Sequence, residues 1–90
     1  MHLEFTRVIQ FSLVVKAGGR LREFNFRKLN NTDTDLFSAN VCDEKGERVF
    51  FYMQKYEGGW KLSPAALPHW VIETEGQIAE ALKEELVKWQ

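Results

Sequence analysis

From residue 3 to residue 15, apolar and polar side chains alternate. Leu3, Phe5, Ile9, Phe11, Leu13 and Val15 share one parity, interrupted by Arg7; Glu4, Thr6, Gln10 and Ser12 share the other, with Val8 and Val14 as exceptions. A period of two belongs to a β-strand with one buried face. Its length also predicts a bulge or bend along the way. Lys16-Ala17-Gly18-Gly19-Arg20 then turns the chain, because paired glycines supply the positive φ that tight hairpins need. A second strand is predicted over about 21–29, with Phe24 and Phe26 on one face and Glu23, Asn25 and Arg27 on the other. Residues 30–35 are polar turn formers and predict a loop.

The alternation resumes over 36–42, where Phe37, Ala39 and Val41 oppose Ser38, Asn40 and Cys42. Asp43-Glu44-Lys45-Gly46-Glu47 closes a hairpin, with Gly46 as the left-handed residue. The fourth strand, about 48–56, is apolar on both sides: Val49, Phe51 and Met53 on one, Phe50, Tyr52 and Tyr56 on the other. Such a strand is central or lies under a partner. Glu57-Gly58-Gly59 turns into a short fifth strand, Trp60-Lys61-Leu62.

The remainder has helical spacing. Ser63-Pro64 reads as an N-cap followed by proline in the first helical position. Beyond Leu67-Pro68, a single helix is predicted over about 68–88, with Gly76 costing about 1 kcal/mol against alanine. Thr74-Glu75-Gly76-Gln77 also fits a capping box and offers a second start. Val71, Thr74, Ile78, Leu82, Glu85 and Trp89 trace one stripe, widened by Ala81 and Leu86. That stripe should lie across the sheet. Every connection is short, so the expected fold is α+β: a five-stranded antiparallel meander with one C-terminal helix packed across one face. One helix leaves the second face of the sheet uncovered. If the Val49 set is core, that face carries Phe50, Tyr52 and Tyr56, and exposed rings on an open sheet call for a ligand, a second chain or closure of the sheet on itself.

Composition narrows the class. Ninety residues, 44 % hydrophobic and 28 % charged, suit one globular domain spanning 1–90 and exclude a disordered or low-complexity chain. No apolar run approaches the roughly 18 residues of a membrane span. The single Cys42 excludes an internal disulfide, and with His2 and His69 far apart it leaves no structural zinc site. The first residues lack the basic and apolar regions of a secretory signal, which together with an unpaired cysteine predicts a cytoplasmic protein. Net charge is −1 but uneven. Arg7, Lys16, Arg20, Arg22, Arg27 and Lys28 face Glu23 alone over residues 7–28; Lys83 and Lys88 are outnumbered by Glu73, Glu75, Glu80, Glu84 and Glu85 over 63–90. An asymmetry of this kind can mark a basic surface that meets an anionic partner.

No catalytic constellation is readable. His69, between Pro68 and Trp70 at the helix entry, could act as a general base in principle, but its place reads as a first-turn histidine partly packed on Trp70. Cys42 has no adjacent base. Glu84-Glu85 belongs to a solvated helix face, and Asp33 and Asp35 lack calcium-loop spacing. Gly18-Gly19 leads into a strand, not into the helix that a phosphate loop opens. The expectation is therefore a non-catalytic domain without cofactor or metal.

The segment Phe37-Ser38-Ala39-Asn40-Val41-Cys42-Asp43-Glu44-Lys45-Gly46-Glu47-Arg48-Val49-Phe50-Phe51 resembles the strand–turn–strand core of Pur-type repeats. Trp60-Lys61-Leu62 and residues 68–88 stand where that family has its last strand and long helix. Whirly proteins and the single-strand-binding transcriptional coactivator domain are similar in plan. The resemblance covers about residues 21–88 and leaves the first strand as an extra. It implies single-stranded nucleic acid held on the sheet, usually by paired copies. Compatible parts are present: Phe50, Tyr52 and Tyr56 for base stacking, and Arg20, Arg22, Arg27, Lys28, Lys55 and Lys61 for phosphate. The negative net charge and acidic helix depart from that pattern. The alternative is a homodimeric protein-interaction module, its aromatics forming a subunit seam or its first strand pairing edge to edge. A small-molecule pocket between helix and sheet has no convergent polar cluster to support it.

Overall fold

The structure, a computed structural model, describes residues 9–29, 36–64 and 66–88. The strands are β1 (Gln10–Ala17), β2 (Arg20–Lys28), β3 (Leu36–Cys42), β4 (Arg48–Tyr56) and β5 (Gly59–Ser63). They form one antiparallel sheet in the order β1-β2-β3-β4-β5, the meander that the short connections predict. Residues 3–8 of the expected first strand, the loop 30–35 and Trp89 lie outside the described residues. Over Gln10–Ala17 the register with β2 is unbroken, from Gln10 opposite Arg27 to Ala17 opposite Arg20, so the expected bulge does not occur there.

The β1–β2 turn needs both of its glycines. Gly18 and Gly19 sit at φ +62° and +81°, the left-handed region in which a side chain is strained. Gly18 is also crowded: a Cβ there would stand 3.3 Å from Arg22 Nη2 and 3.4 Å from Trp70 Cβ.

Alternation decides the two faces. Val15 and Ala17 of β1, Phe24 and Phe26 of β2, Phe37, Ala39 and Val41 of β3, and Phe51 and Met53 of β4 are buried together. Edge-on and tilted ring contacts tie them across the strands, Phe24 to Phe51 at 6.2 Å and Phe37 to Trp60 at 5.5 Å between centroids. Each fully buried phenylalanine contributes about 1.5–3 kcal/mol relative to exposure.

The expected C-terminal helix is present, but it is not continuous over 68–88. It divides into α1 (His69–Ile72) and α2 (Glu75–Val87). Neither begins at Ser63-Pro64; Pro68 stands at the start of α1, where a missing N–H costs nothing. The break falls at Glu73–Thr74, so the chain takes its second start. The Thr74 hydroxyl does not cap α2. It donates back to the Trp70 carbonyl at 2.6 Å, satisfying an acceptor that the break releases. Val71, Thr74, Ile78 and Leu82 of the expected stripe are buried. Among the strands, α2 packs closest to the two edges, β1 and β5, so the sheet is concave toward it. Glu75 Oε2 accepts the Leu62 N–H at 2.8 Å, which joins the first turn of α2 to the β5 edge.

Candidate functional site

Among the described residues, none covers the face of the sheet away from the helices. Phe50, Tyr52 and Tyr56 project from β4 on this side and are 67, 45 and 55 % exposed. Their neighbours Phe51 and Met53 point inward and are buried. The register places Asn40 opposite Phe50 and Ser38 opposite Tyr52. One strand further, Asn25 lies opposite Asn40 and Arg27 opposite Ser38. Directly opposed side chains have Cβ atoms about 4.5–5.5 Å apart. The rings therefore stand beside a row of small polar groups.

Those groups are bonded into a ladder across four strands. The Ser12 hydroxyl donates to Asn25 Oδ1 at 2.6 Å. Asn25 Nδ2 donates to Asn40 Oδ1 at 3.0 Å. Arg48 Nη1 donates to the same Asn40 oxygen at 2.7 Å. Arginine has only donors, so it can meet Asn40 only at oxygen. That sets the orientation of the Asn40 amide, which sets that of Asn25, which makes Ser12 the donor. A shallow depression of about 180 Å³ adjoins the ladder, lined by Gln10, Asn25, Arg27, Ser38 and Asn40 among others.

Charge on this face runs opposite to that of the whole chain. Lys16, Arg27, Arg48 and Lys61 share the outward parity, against Glu23 as the carboxylate of the outward strand positions. The Lys61 ammonium lies 5.0 Å from the Tyr56 ring centroid, a cation–π contact at the rim.

The structure divides the site residues expected from sequence. Phe50, Tyr52, Tyr56, Arg27 and Lys61 come together on the open face. Arg20, Arg22, Lys28 and Lys55 share the parity of the core instead. Arg20 is exposed beside the turn, opposite Ala17. Lys28 and Lys55 lie opposite Phe37 and Trp60. Arg22 is committed to structure. Its side chain is 7 % exposed. Nε donates to the Ala17 carbonyl at 2.8 Å and Nη1 to the Cys42 carbonyl at 3.2 Å. The guanidinium lies 4.3 Å from the Trp70 ring centroid, and Nη2 is 3.5 Å from the exposed Glu44 carboxylate. One cation thus joins two hairpins to α1, and it is not available to a phosphate on the far side of the sheet.

Sequence reasoning missed Arg48, Lys16 and the ladder. Parity alone could have placed the two cations: Arg48 is two residues before Phe50 and shares its face, just as Arg22 is two residues before Phe24 and shares the core.

Elsewhere, a cavity of about 350 Å³ opens beside Arg22, with Asp43, Glu44, Lys45 and Glu47 on its rim. Asp43 Oδ1 is already taken by the backbone N–H groups of Lys45 and Glu47. Among the described residues no three His, Cys, Asp or Glu side chains gather as metal ligands. No described helix is long and apolar enough to cross a membrane. No family model, curated protein or solved structure matches the chain.

Proposed function

We propose that this is a non-catalytic binding domain whose open sheet face holds single-stranded nucleic acid. The observation that carries the reading is the pairing of Phe50, Tyr52 and Tyr56, all exposed on one strand, with a surrounding face that is basic in an acidic chain. Aromatic faces accept unpaired bases of any sequence, each stacked base being worth about 1–3 kcal/mol, while cations follow the phosphates. Arg27, Lys61 and Lys16 are the phosphate-binding groups. The acidic α2 lies on the other side of the sheet and leaves this polarity intact. The resemblance to Pur and Whirly domains supports the same ligand class. The exposed, unpaired Cys42 supports a reducing, cytoplasmic setting.

The test is fluorescence anisotropy of a labelled single-stranded oligonucleotide, titrated at low and at moderate salt. Binding should be strongest at low salt and weaken as salt rises, because phosphate neutralisation releases counterions. Absence of binding at low salt ends the reading. The homodimer alternative is favoured by Val14 and Leu21, 64 and 72 % exposed on the same face. It makes the opposite forecast: light scattering at high concentration gives a dimer that Phe50→Ser dissociates, and no oligonucleotide binds.

A further inference from the structure

We infer that the open face selects bases bearing a ring carbonyl and disfavours adenine; this rests on the single-strand reading above and names its base preference. The observation is the polarity of the ladder. Asn40 Oδ1 already accepts from both Asn25 and Arg48, so its acceptor capacity is occupied. What Asn40 presents is its Nδ2 amide, which donates to no group among the described residues. Arg48 uses Nη1 on Asn40, and its other N–H groups likewise carry no bond among the described residues. Both residues offer donors only, and both stand next to the 67 % exposed Phe50 ring, Asn40 directly across the strand pair and Arg48 two residues along β4.

A base stacked on Phe50 brings its edge over those donors. Guanine, cytosine, thymine and uracil each have an edge with a carbonyl oxygen, and guanine O6/N7 or cytosine O2/N3 are adjacent acceptors. Adenine has no carbonyl. On either of its hydrogen-bonding edges the ring nitrogen accepts, but the neighbouring N6 amino group donates, so one protein donor meets another. A buried donor left facing a donor is costly, which is the origin of discrimination here. The amide orientations rest on Arg48, whose chemistry allows no alternative, so the donor character of the patch is built into the ladder.

The experiment compares, at low salt, a labelled dA12 strand with the same strand carrying hypoxanthine at every position. The two purines have the same ring system; the change replaces the six-amino group with a carbonyl and puts a proton on N1, leaving O6 and N7 as adjacent acceptors. The hypoxanthine strand should bind about tenfold more tightly, the discrimination of one good base contact. The control variant is Asn40→Asp, which keeps the oxygen that accepts from Asn25 and Arg48 but replaces the free donor with an acceptor. Its added charge lowers affinity for both strands, so the readout is the ratio between them, which should fall well below the wild-type value, to the share that Arg48 carries. Equal binding of the two strands by the wild-type protein overturns the base preference alone. Retention of the full preference in Asn40→Asp overturns the assignment to Asn40. Failure of either strand to bind at low salt removes both this inference and the function on which it rests.

Discussion

Phe50 and Phe51 are neighbours in one strand, yet the first is 67 % exposed and the second 1 %. Phe51 meets Phe24 beneath the helices, in a face where every ring has a ring or an aliphatic chain against it. Phe50 stands over Asn40, in a face whose centre is hydrogen-bonded amide and hydroxyl. The same residue type thus has two uses, set by which side of the pleat it takes. Inside, phenylalanine is cohesion; outside, it is surface that the fold does not itself require. Arginine divides in the same manner. Arg22 is enclosed and bonded to two carbonyls, whereas Arg48 is exposed and retains unused donors.

The sharpest way to break this comparison is to truncate both rings. Phe51→Ala should cost about 3–5 kcal/mol in urea unfolding, enough to unfold much of so small a domain. Phe50→Ala should stay within about 0.5 kcal/mol of the parent while losing roughly 1–3 kcal/mol of oligonucleotide affinity. Equal destabilisation by the two would mean that the outer ring is covered, and the docking face would be lost.

The arginine comparison sets the next test. Arg22→Met keeps an apolar stem beneath Trp70 but abandons the Ala17 and Cys42 carbonyls, at a cost of about 2 kcal/mol or more. The denaturation midpoint measures it, and no change in midpoint would remove Arg22 from its role as the joint between the hairpins and α1. The smallest effect should come from its carboxylate partner. Glu44 is 69 % exposed in the pair, so Glu44→Gln should shift stability by less than about 0.5 kcal/mol. A larger shift would show that the guanidinium is held by the ion pair rather than by the two carbonyls.

Much of the sheet was legible because its signals are local. Period-two alternation and turn residues such as Gly18-Gly19 and Gly46 act within a few residues, and β3 and β4 lie where the pattern puts them. The helix was less legible. One amphipathic stripe runs through residues 71–82, but the break at Glu73–Thr74 interrupts the backbone without rotating the stripe away from the core. Periodicity therefore does not register it. Of the site, the aromatic half was readable from parity, whereas the cations, gathered by nearness in sequence, divide between the two faces. Arg20, Arg22, Lys28 and Lys55 belong to the inward parity.

By itself, then, the order of residues determined five strands, their turns and the alternation that separates Phe50 from Phe51. Only tertiary structure decided that the Phe51 side would be the covered one, that Arg22 would be consumed by carbonyls from two hairpins, and that Ser12, Asn25, Asn40 and Arg48 would form one ladder. The reason is range. Alternation is a property of adjacent residues, whereas a side chain's partners lie 13, 15 or 20 positions away and exist only once register brings the strands together.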